Sequence, residues 1–142
     1  IYTLSLHDAL PILVILFYLL VLMVIHELIH GFFFKVLGDE NTKVKFGFKS
    51  GMAYATSPGS RYSRKRMLVI ILAPFFLISL ALTLIYGLHI LTAASYIVLT
   101  SFHAAGCAGD FFLAAAILRQ KGEIAVEDTE VGINIYQKEN TK

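Results

Sequence analysis

The sequence predicts a mainly α-helical membrane protein with three transmembrane helices and a β-hairpin between the first two. Its composition is one reason, because 57% of the 142 residues are hydrophobic, whereas soluble domains are about 45–50% apolar. The second reason is that the apolar residues form three runs, each long enough for the roughly 20 residues that cross a hydrocarbon core. A net charge of +2, without a basic stretch interleaved with aromatic residues, argues against a nucleic-acid partner.

The first twelve residues, IYTLSLHDALPI, are excluded from the predicted fold. They match, residue for residue, the in-frame translation of a common sequencing adapter, and they lack the basic and apolar regions of a signal peptide. We therefore expect a non-native stretch at 1–12, a single membrane-embedded domain at 13–122 and a short polar tail at 123–142. On this basis an upstream segment is missing, and His7 and Asp8 carry no functional meaning.

Three helices are predicted in order along the chain. The first covers 13–37 and stops at Gly38, which is followed by the polar residues DEN. The second covers about 67–91 and contains Pro74, and the third covers about 94–118 and ends before Arg119. Core helices of a soluble protein are the alternative, but runs this long with so few charges favour the membrane.

The loop between the first two helices predicts both a hairpin and an orientation. KVKFGFK alternates apolar and basic residues, and SG followed by MAYAT indicates a β-hairpin at about 43–56. The loop at 38–66 carries seven Lys and Arg residues, whereas the connection at 91–94 has none. The positive-inside rule therefore places this loop and the tail in the cytoplasm, and the basic residues could also bind anionic lipid headgroups.

The segment HELIH within the first helix predicts a metal centre. His26 and His30 are four residues apart, so both imidazoles lie on one helix face and reach one ion. Glu27 is placed to take a proton from a water that zinc activates. Histidine–glutamate bonds between membrane helices are the alternative, but they contribute only about 0.6 kcal/mol each, less than the roughly 2.5–3.5 kcal/mol cost of an intramembrane charge.

A third ligand is needed, because catalytic zinc keeps three protein ligands and one open position. Asp110 is the preferred candidate, since it lies at the same depth as the motif, about 12–13 Å from the same interface. The small residues of HAAGCAGD allow a close approach of helices. A pairing of Asp110 with Lys35 or a histidine is the alternative. His103, two turns further out, is better placed to contact a metal ligand or the substrate than to bind the metal. Cys107 remains a weaker ligand candidate, and His89 lies near the opposite surface.

Pro74 lies at nearly the same depth in the second helix. Proline removes a backbone donor and so leaves the carbonyl of Ile70 without its helical partner. An opening at this point would admit water or an extended substrate beside the metal, so Pro74 is a second candidate for a contact to a metal ligand or to the substrate. A tolerated membrane proline without a role is the equally matched alternative.

The residues quoted above, with LAPFF and the tail VEDTEVGINIY, resemble the putative zincin peptidase family of small prokaryotic membrane proteins. The resemblance covers nearly everything after Leu13. More distantly, the chain resembles site-2 intramembrane metalloproteases, which pair an HExxH helix with an aspartate from a later helix. The resemblance implies that His26, His30 and Asp110 bind one zinc ion and that Glu27 is the catalytic glutamate. Here Asp110 is followed by Phe111, whereas the protease class has glycine after the aspartate.

Two hypotheses of different classes follow. The first is an intramembrane zinc endopeptidase that cuts a membrane-associated peptide near the cytoplasmic face, with the hairpin pairing to the extended substrate. The second is a catalytically inactive membrane protein whose structural or regulatory metal is closed by His103 or Cys107. A zinc transporter is a weaker third hypothesis. Transporters usually carry several acidic or histidine sites along a path, whereas only one such cluster is visible in this sequence. Three helices enclose a metal poorly, so a lost segment or a second copy of the chain is expected to complete the cavity.

Overall fold

The described part of the chain, residues 6–49 and 51–137 of a computed structural model, consists of helices joined to two small antiparallel sheets. In chain order the elements are α1 (Leu6–Leu37), β1 (Lys45–Lys49), β2 (Met52–Thr56), β3 (Arg61–Ser63), α2 (Arg64–Gly87), α3 (Ala93–Gly106), α4 (Ala108–Arg119), β4 (Ile124–Thr129) and β5 (Gly132–Gln137). By length and apolar composition, α1 from Ala9 and α2 are each able to cross a membrane, and α3 with α4 forms a third, bent candidate span.

The third helix is not continuous, which corrects the single helix predicted at 94–118. It breaks at Cys107 into α3 and α4, whose axes differ by 43°. The break falls within AAGCAG, where Gly106 and Gly109 have low helix propensity and bulky side chains are lacking. The second helix also differs from its predicted bounds of 67–91, since it ends at Gly87 and the chain turns through His89, whose φ is 60°.

Helix α2 lies between the other helices and packs against α1, α3 and α4. At its C-terminal half, Ile78 and Leu82 pack against Leu99 of α3. At its N-terminal half, a larger core joins the helices to the sheets, and its buried members are Phe34, Tyr62, Met67, Ile70, Ile71, Ala114, Ile117, Ile124 and Val126. The predicted metal-binding residues lie on α1 and α4, between these two cores.

The hairpin of β1 and β2 lies against α1. Its register pairs Lys45 with Thr56 and Phe46 with Ala55, and Gly51 takes a φ of 83° that favours glycine at the turn. A β-carbon at Gly31, directly after HELIH, would collide with the ring of Phe46. The glycine therefore lets the hairpin approach the helix beside the two histidines.

The second sheet has the order β3-β4-β5 and is built largely from the C-terminal segment. This corrects the short polar tail predicted at 123–142, because β4 and β5, which contains GINIY, both lie within that segment. Along β4, Ile124 and Val126 are buried in the core, and strand alternation places Asp128 on the same face. The segment after α4 thus folds back onto the helices instead of extending from them.

Arg64 fixes the end of α4 relative to the start of α2. Its guanidinium donates hydrogen bonds to the carbonyls of Ile117, Gln120 and Gly122, at 3.2, 2.9 and 2.7 Å. The last carbonyls of a helix lack partners within it, so a cationic donor at this point stabilises the terminus. This contact ties the helix that carries Asp110 to the one that packs against His30.

Candidate metal centre

The two histidines of HELIH meet on the inner side of α1. His30 is buried and His26 is half-buried, and their Nε2 atoms lie 3.1 Å apart. This contact follows from their spacing, because residues four apart are neighbours on a helix face.

Asp110 approaches both rings from the first turn of α4. Its Oδ2 lies 3.1 Å from Nε2 of His26, and its Oδ1 lies 3.4 Å from Nε2 of His30. Lys35, the alternative partner, instead donates to the backbone carbonyl of Thr42. The structure therefore brings together the three residues that the sequence predicted as metal ligands.

The donor set fits a zinc ion. Tetrahedral zinc with ligands at about 2.0–2.1 Å separates neighbouring ligand atoms by about 3.3 Å, close to the distances above. In addition, Asp110 Oδ2 is buried and accepts no hydrogen bond, although His26 Nε2 is near. Convergent nitrogen and carboxylate lone pairs around a buried, unpartnered oxygen are stabilised by a shared cation.

A backbone carbonyl of α2 orients His30. Its Nδ1 lies 3.0 Å from the carbonyl oxygen of Ile70, within the buried core. A carbonyl only accepts, so Nδ1 carries the proton and Nε2 presents its lone pair to the site. Ile70 lies four residues before Pro74, which has no N–H to offer that oxygen. The carbonyl of Ile70, which was expected to lack its helical partner because of Pro74, thus accepts a hydrogen bond from His30.

Cys107 and His103 form a neighbouring group on the other side of His26. Cys107 Sγ lies 3.9 Å from Nδ1 of His26 and 3.8 Å from Nε2 of His103. His103 is buried, and its ring stacks on Phe75. These three residues also meet the distance criterion for a metal site, but they face the nitrogen of His26 that points away from His30 and Asp110.

Glu27 lies beside the histidines on α1 and near the backbone of Ala55 in β2. It lines two adjoining cavities. The apolar pocket, about 320 Å³, extends from His26 along the N-terminal half of α1 and is lined by Leu19, Leu22, Met23, Ala53, Phe102 and Gly106. The acidic pocket, about 190 Å³, extends toward the second sheet and includes His30, Tyr54, Asp110, Asp128 and Thr129.

Asp128 was not predicted as a site residue. Burial raises its pKa to about 6, and its backbone carbonyl accepts a hydrogen bond from Thr56. A signal was present in the sequence, since IAVED places an acid on the face that alternation assigns to Ile124 and Val126. His89, by contrast, lies in the connection between α2 and α3 and lines neither pocket.

Comparison with known proteins identifies the family of the chain. No curated protein and no solved structure gives a significant match. One family model, described as "Putative zincin peptidase", matches residues 19–125, which include α2, the hairpin and all the candidate ligands. The match covers well over half of the sequence, and we conclude that the chain belongs to this zincin peptidase family.

Proposed function

We propose that this protein is a membrane-embedded zinc endopeptidase in which His26, His30 and Asp110 hold one metal ion and Glu27 is the catalytic base. The observation that carries the proposal is the convergence of the two Nε2 atoms and the Asp110 carboxylate within 3.4 Å. A peptide-sized space adjoins these atoms on the side of Glu27. Membership of the zincin family supports the same reaction class.

When bound, zinc acts as a Lewis acid that lowers the pKa of water toward neutrality and polarises a carbonyl. Glu27 then accepts the proton of the attacking water and returns it to the leaving amine, so that no net charge accumulates. Glu27 lines both pockets and lies near the backbone of Ala55. His30 stays in the required tautomer through Ile70, and Cys107 Sγ is placed to accept from Nδ1 of His26.

The edge of β2 suits an extended substrate. Among the described residues β2 pairs only with β1, and its residues Ala53, Tyr54 and Ala55 line the two pockets. Peptide backbone added at this edge would run past Glu27 with its amides exposed to attack, which is the β-augmentation expected for a protease. The substrate is therefore an unwound, membrane-associated peptide.

The apolar spans α1, α2 and α3–α4 support an intramembrane site. With the basic loop 38–66 in the cytoplasm, the histidines and Asp110 lie in the inner half of the bilayer. Cleavage near the cytoplasmic face follows from this orientation. A second copy of the chain or a further segment is proposed to shield the site from lipid.

The decisive variant is Glu27→Gln, which keeps the size of the side chain and removes its basicity. Purified protein in detergent should lose at least about 100-fold in hydrolysis of a labelled transmembrane peptide and retain about one zinc per chain. Glu40→Gln, an exposed residue in the loop after α1, is the matched control. Unchanged hydrolysis in Glu27→Gln would refute the role of this residue.

The second candidate function is a non-catalytic metal protein. It is favoured by one observation, the group formed by His26, His103 and Cys107. A metal there would be ligated by sulfur and enclosed by buried side chains. Zinc that is lost in Cys107→Ser but retained in Asp110→Asn, without peptide hydrolysis, would establish this alternative.

A further inference from the structure

The two pockets that meet at Glu27 differ in chemistry. The apolar pocket is walled mostly by aliphatic and aromatic side chains such as Leu19, Leu22 and Phe102. The acidic pocket contains the carboxylates of Asp110 and Asp128 as well as that of Glu27. A peptide that crosses Glu27 along β2 therefore meets an apolar environment on one side and an acidic one on the other.

The spacing of the pockets matches an extended chain. Ala53 lines the apolar pocket, whereas Tyr54 and Ala55 line the acidic pocket. Consecutive strand residues are about 3.3 Å apart, so a strand paired with β2 would place side chains only one or two residues apart in the two pockets. The two substrate side chains in these pockets lie on opposite sides of the peptide bond nearest Glu27.

Asp128 is the acid in this pocket that the proposed reaction does not use. In the proposed reaction Asp110 binds the metal and Glu27 transfers protons, whereas Asp128 lies on β4. Within residues 6–49 and 51–137, no Lys or Arg forms an ion pair with Asp128. Its pKa of about 6 leaves it ionised at neutral pH.

The neighbouring acid shows the contrast. Glu127 points to the opposite face of β4, where its carboxylate accepts hydrogen bonds from the Gly59 N–H and the Tyr136 hydroxyl and lies near Arg61. Asp128 has Thr56 beside it but faces a cavity. A half-buried anion without a cationic partner, at the edge of a cavity of about 190 Å³, is suited to a basic side chain supplied by a ligand.

We propose that the cleft selects peptides with a large apolar side chain on one side of the scissile bond and a lysine or arginine on the other, with Asp128 binding the basic group. This inference rests on the proposed peptidase function and adds its substrate class. Such sequences occur where a transmembrane segment meets the cytoplasm, since apolar residues there give way to lysine and arginine.

Binding of a peptide series tests the charge preference independently of hydrolysis. The probes are 24-residue transmembrane peptides, about the length of one span, that carry a single Lys, Gln or Glu scanned across one end. Binding to zinc-loaded Glu27→Gln protein should be at least about 10-fold tighter for Lys than for Gln at one position, and weakest for Glu. Asp128→Asn should remove this preference and Asp128→Lys should invert it, whereas Glu127→Gln should leave it unchanged.

The apolar pocket is tested by Ala53→Leu, which fills part of it. This variant should abolish a preference for Leu or Phe over Ala at the facing peptide position. A preference for Lys that survives in Asp128→Asn, or no charge preference at any position, would overturn the inference.

Hydrolysis of the same peptides by the wild-type protein separates the two proposals. Cleavage that ignores the charge overturns the inference and leaves the proposed function intact. A charge preference in binding that depends on Asp128, without any cleavage, supports the acidic subsite and overturns the peptidase function.

Discussion

The two histidines of HELIH are held by different neighbours. His30 donates from Nδ1 to the carbonyl of Ile70, while Nδ1 of His26 faces the thiol of Cys107. Each contact leaves Nε2 directed at Asp110. Outer contacts of this kind fix the ring and its tautomer, and their loss in metalloproteins typically costs about 10–100-fold in metal affinity.

Residue identities in the candidate centre were largely predictable from sequence. The spacing of His26 and His30 requires only helix geometry, and Asp110 followed from matching depths along two helices. Strand alternation indicates that Asp128 shares a face with Ile124 and Val126, but its approach to the site was not predictable, because it depends on β4 pairing with β3 and folding back over the helices. Tertiary pairing of a short polar segment leaves little signal in its own sequence.

Asp128 gives the protein a pH-dependent stability. Its pKa rises from 3.8 to about 6 in the folded state because burial disfavours the charge. The folded state therefore binds more protons between these values, and stability falls as pH rises through this range. Metal-free Asp128→Asn should be more stable than the wild type above pH 6, by about 1–3 kcal/mol, with no difference below about pH 4. Thermal unfolding of both proteins in detergent across this pH range measures the difference in stability. Equal stability of the two proteins at pH 7 would contradict the prediction.

At the scale of elements, the apolar runs predicted where the helices lie, but not their interruptions. The sequence HAAGCAG was interpreted as a stripe of small residues in one helix, yet the helix breaks there at Cys107. Small residues allow close packing and also weaken the helix, and local sequence does not decide between the two effects. The alternation in KVKFGFK and MAYAT, by contrast, indicated strands in the segments that pair as β1 and β2.

Pro74 is predicted to position His30 by leaving the carbonyl of Ile70 free. In Pro74→Ala the new N–H competes for that oxygen, so zinc affinity should fall about 10–100-fold. Replacement of Pro74 by lactic acid, an ester analogue of alanine without the N–H, should restore affinity. Competitive zinc titration with a chelator measures the zinc affinity of both variants. Equal affinities for the alanine and lactic acid variants would show that the free carbonyl is not responsible.

At the scale of the whole molecule, two sheets cover one end of a helical bundle, and the candidate metal centre lies on the apolar helices α1 and α4. The strong hydropathy predicted the bundle, because only helices and closed barrels satisfy backbone polar groups in lipid. The second sheet was less evident, since its strands are short and come from two distant segments, 61–63 and 124–137.

The orientation in the bilayer is predicted from the charges of the connections. In a Cys107→Ser background, Glu40→Cys should react with a membrane-impermeant thiol reagent only from the cytoplasmic side. His89→Cys should react only from the opposite side, because its connection carries no Lys or Arg. Labelling of intact spheroplasts and of inverted vesicles gives both measurements. The reverse pattern would place the candidate site in the outer half of the membrane.

Zinc X-ray absorption of the purified full-length chain tests the central claim most directly. If His26, His30 and Asp110 bind the metal, the first shell should contain only nitrogen and oxygen at about 2.0–2.2 Å, with two imidazoles. Asp110→Asn should weaken zinc binding, whereas Cys107→Ser should leave the spectrum unchanged. A sulfur neighbour at about 2.3 Å, or no zinc in the wild-type protein, would contradict the account.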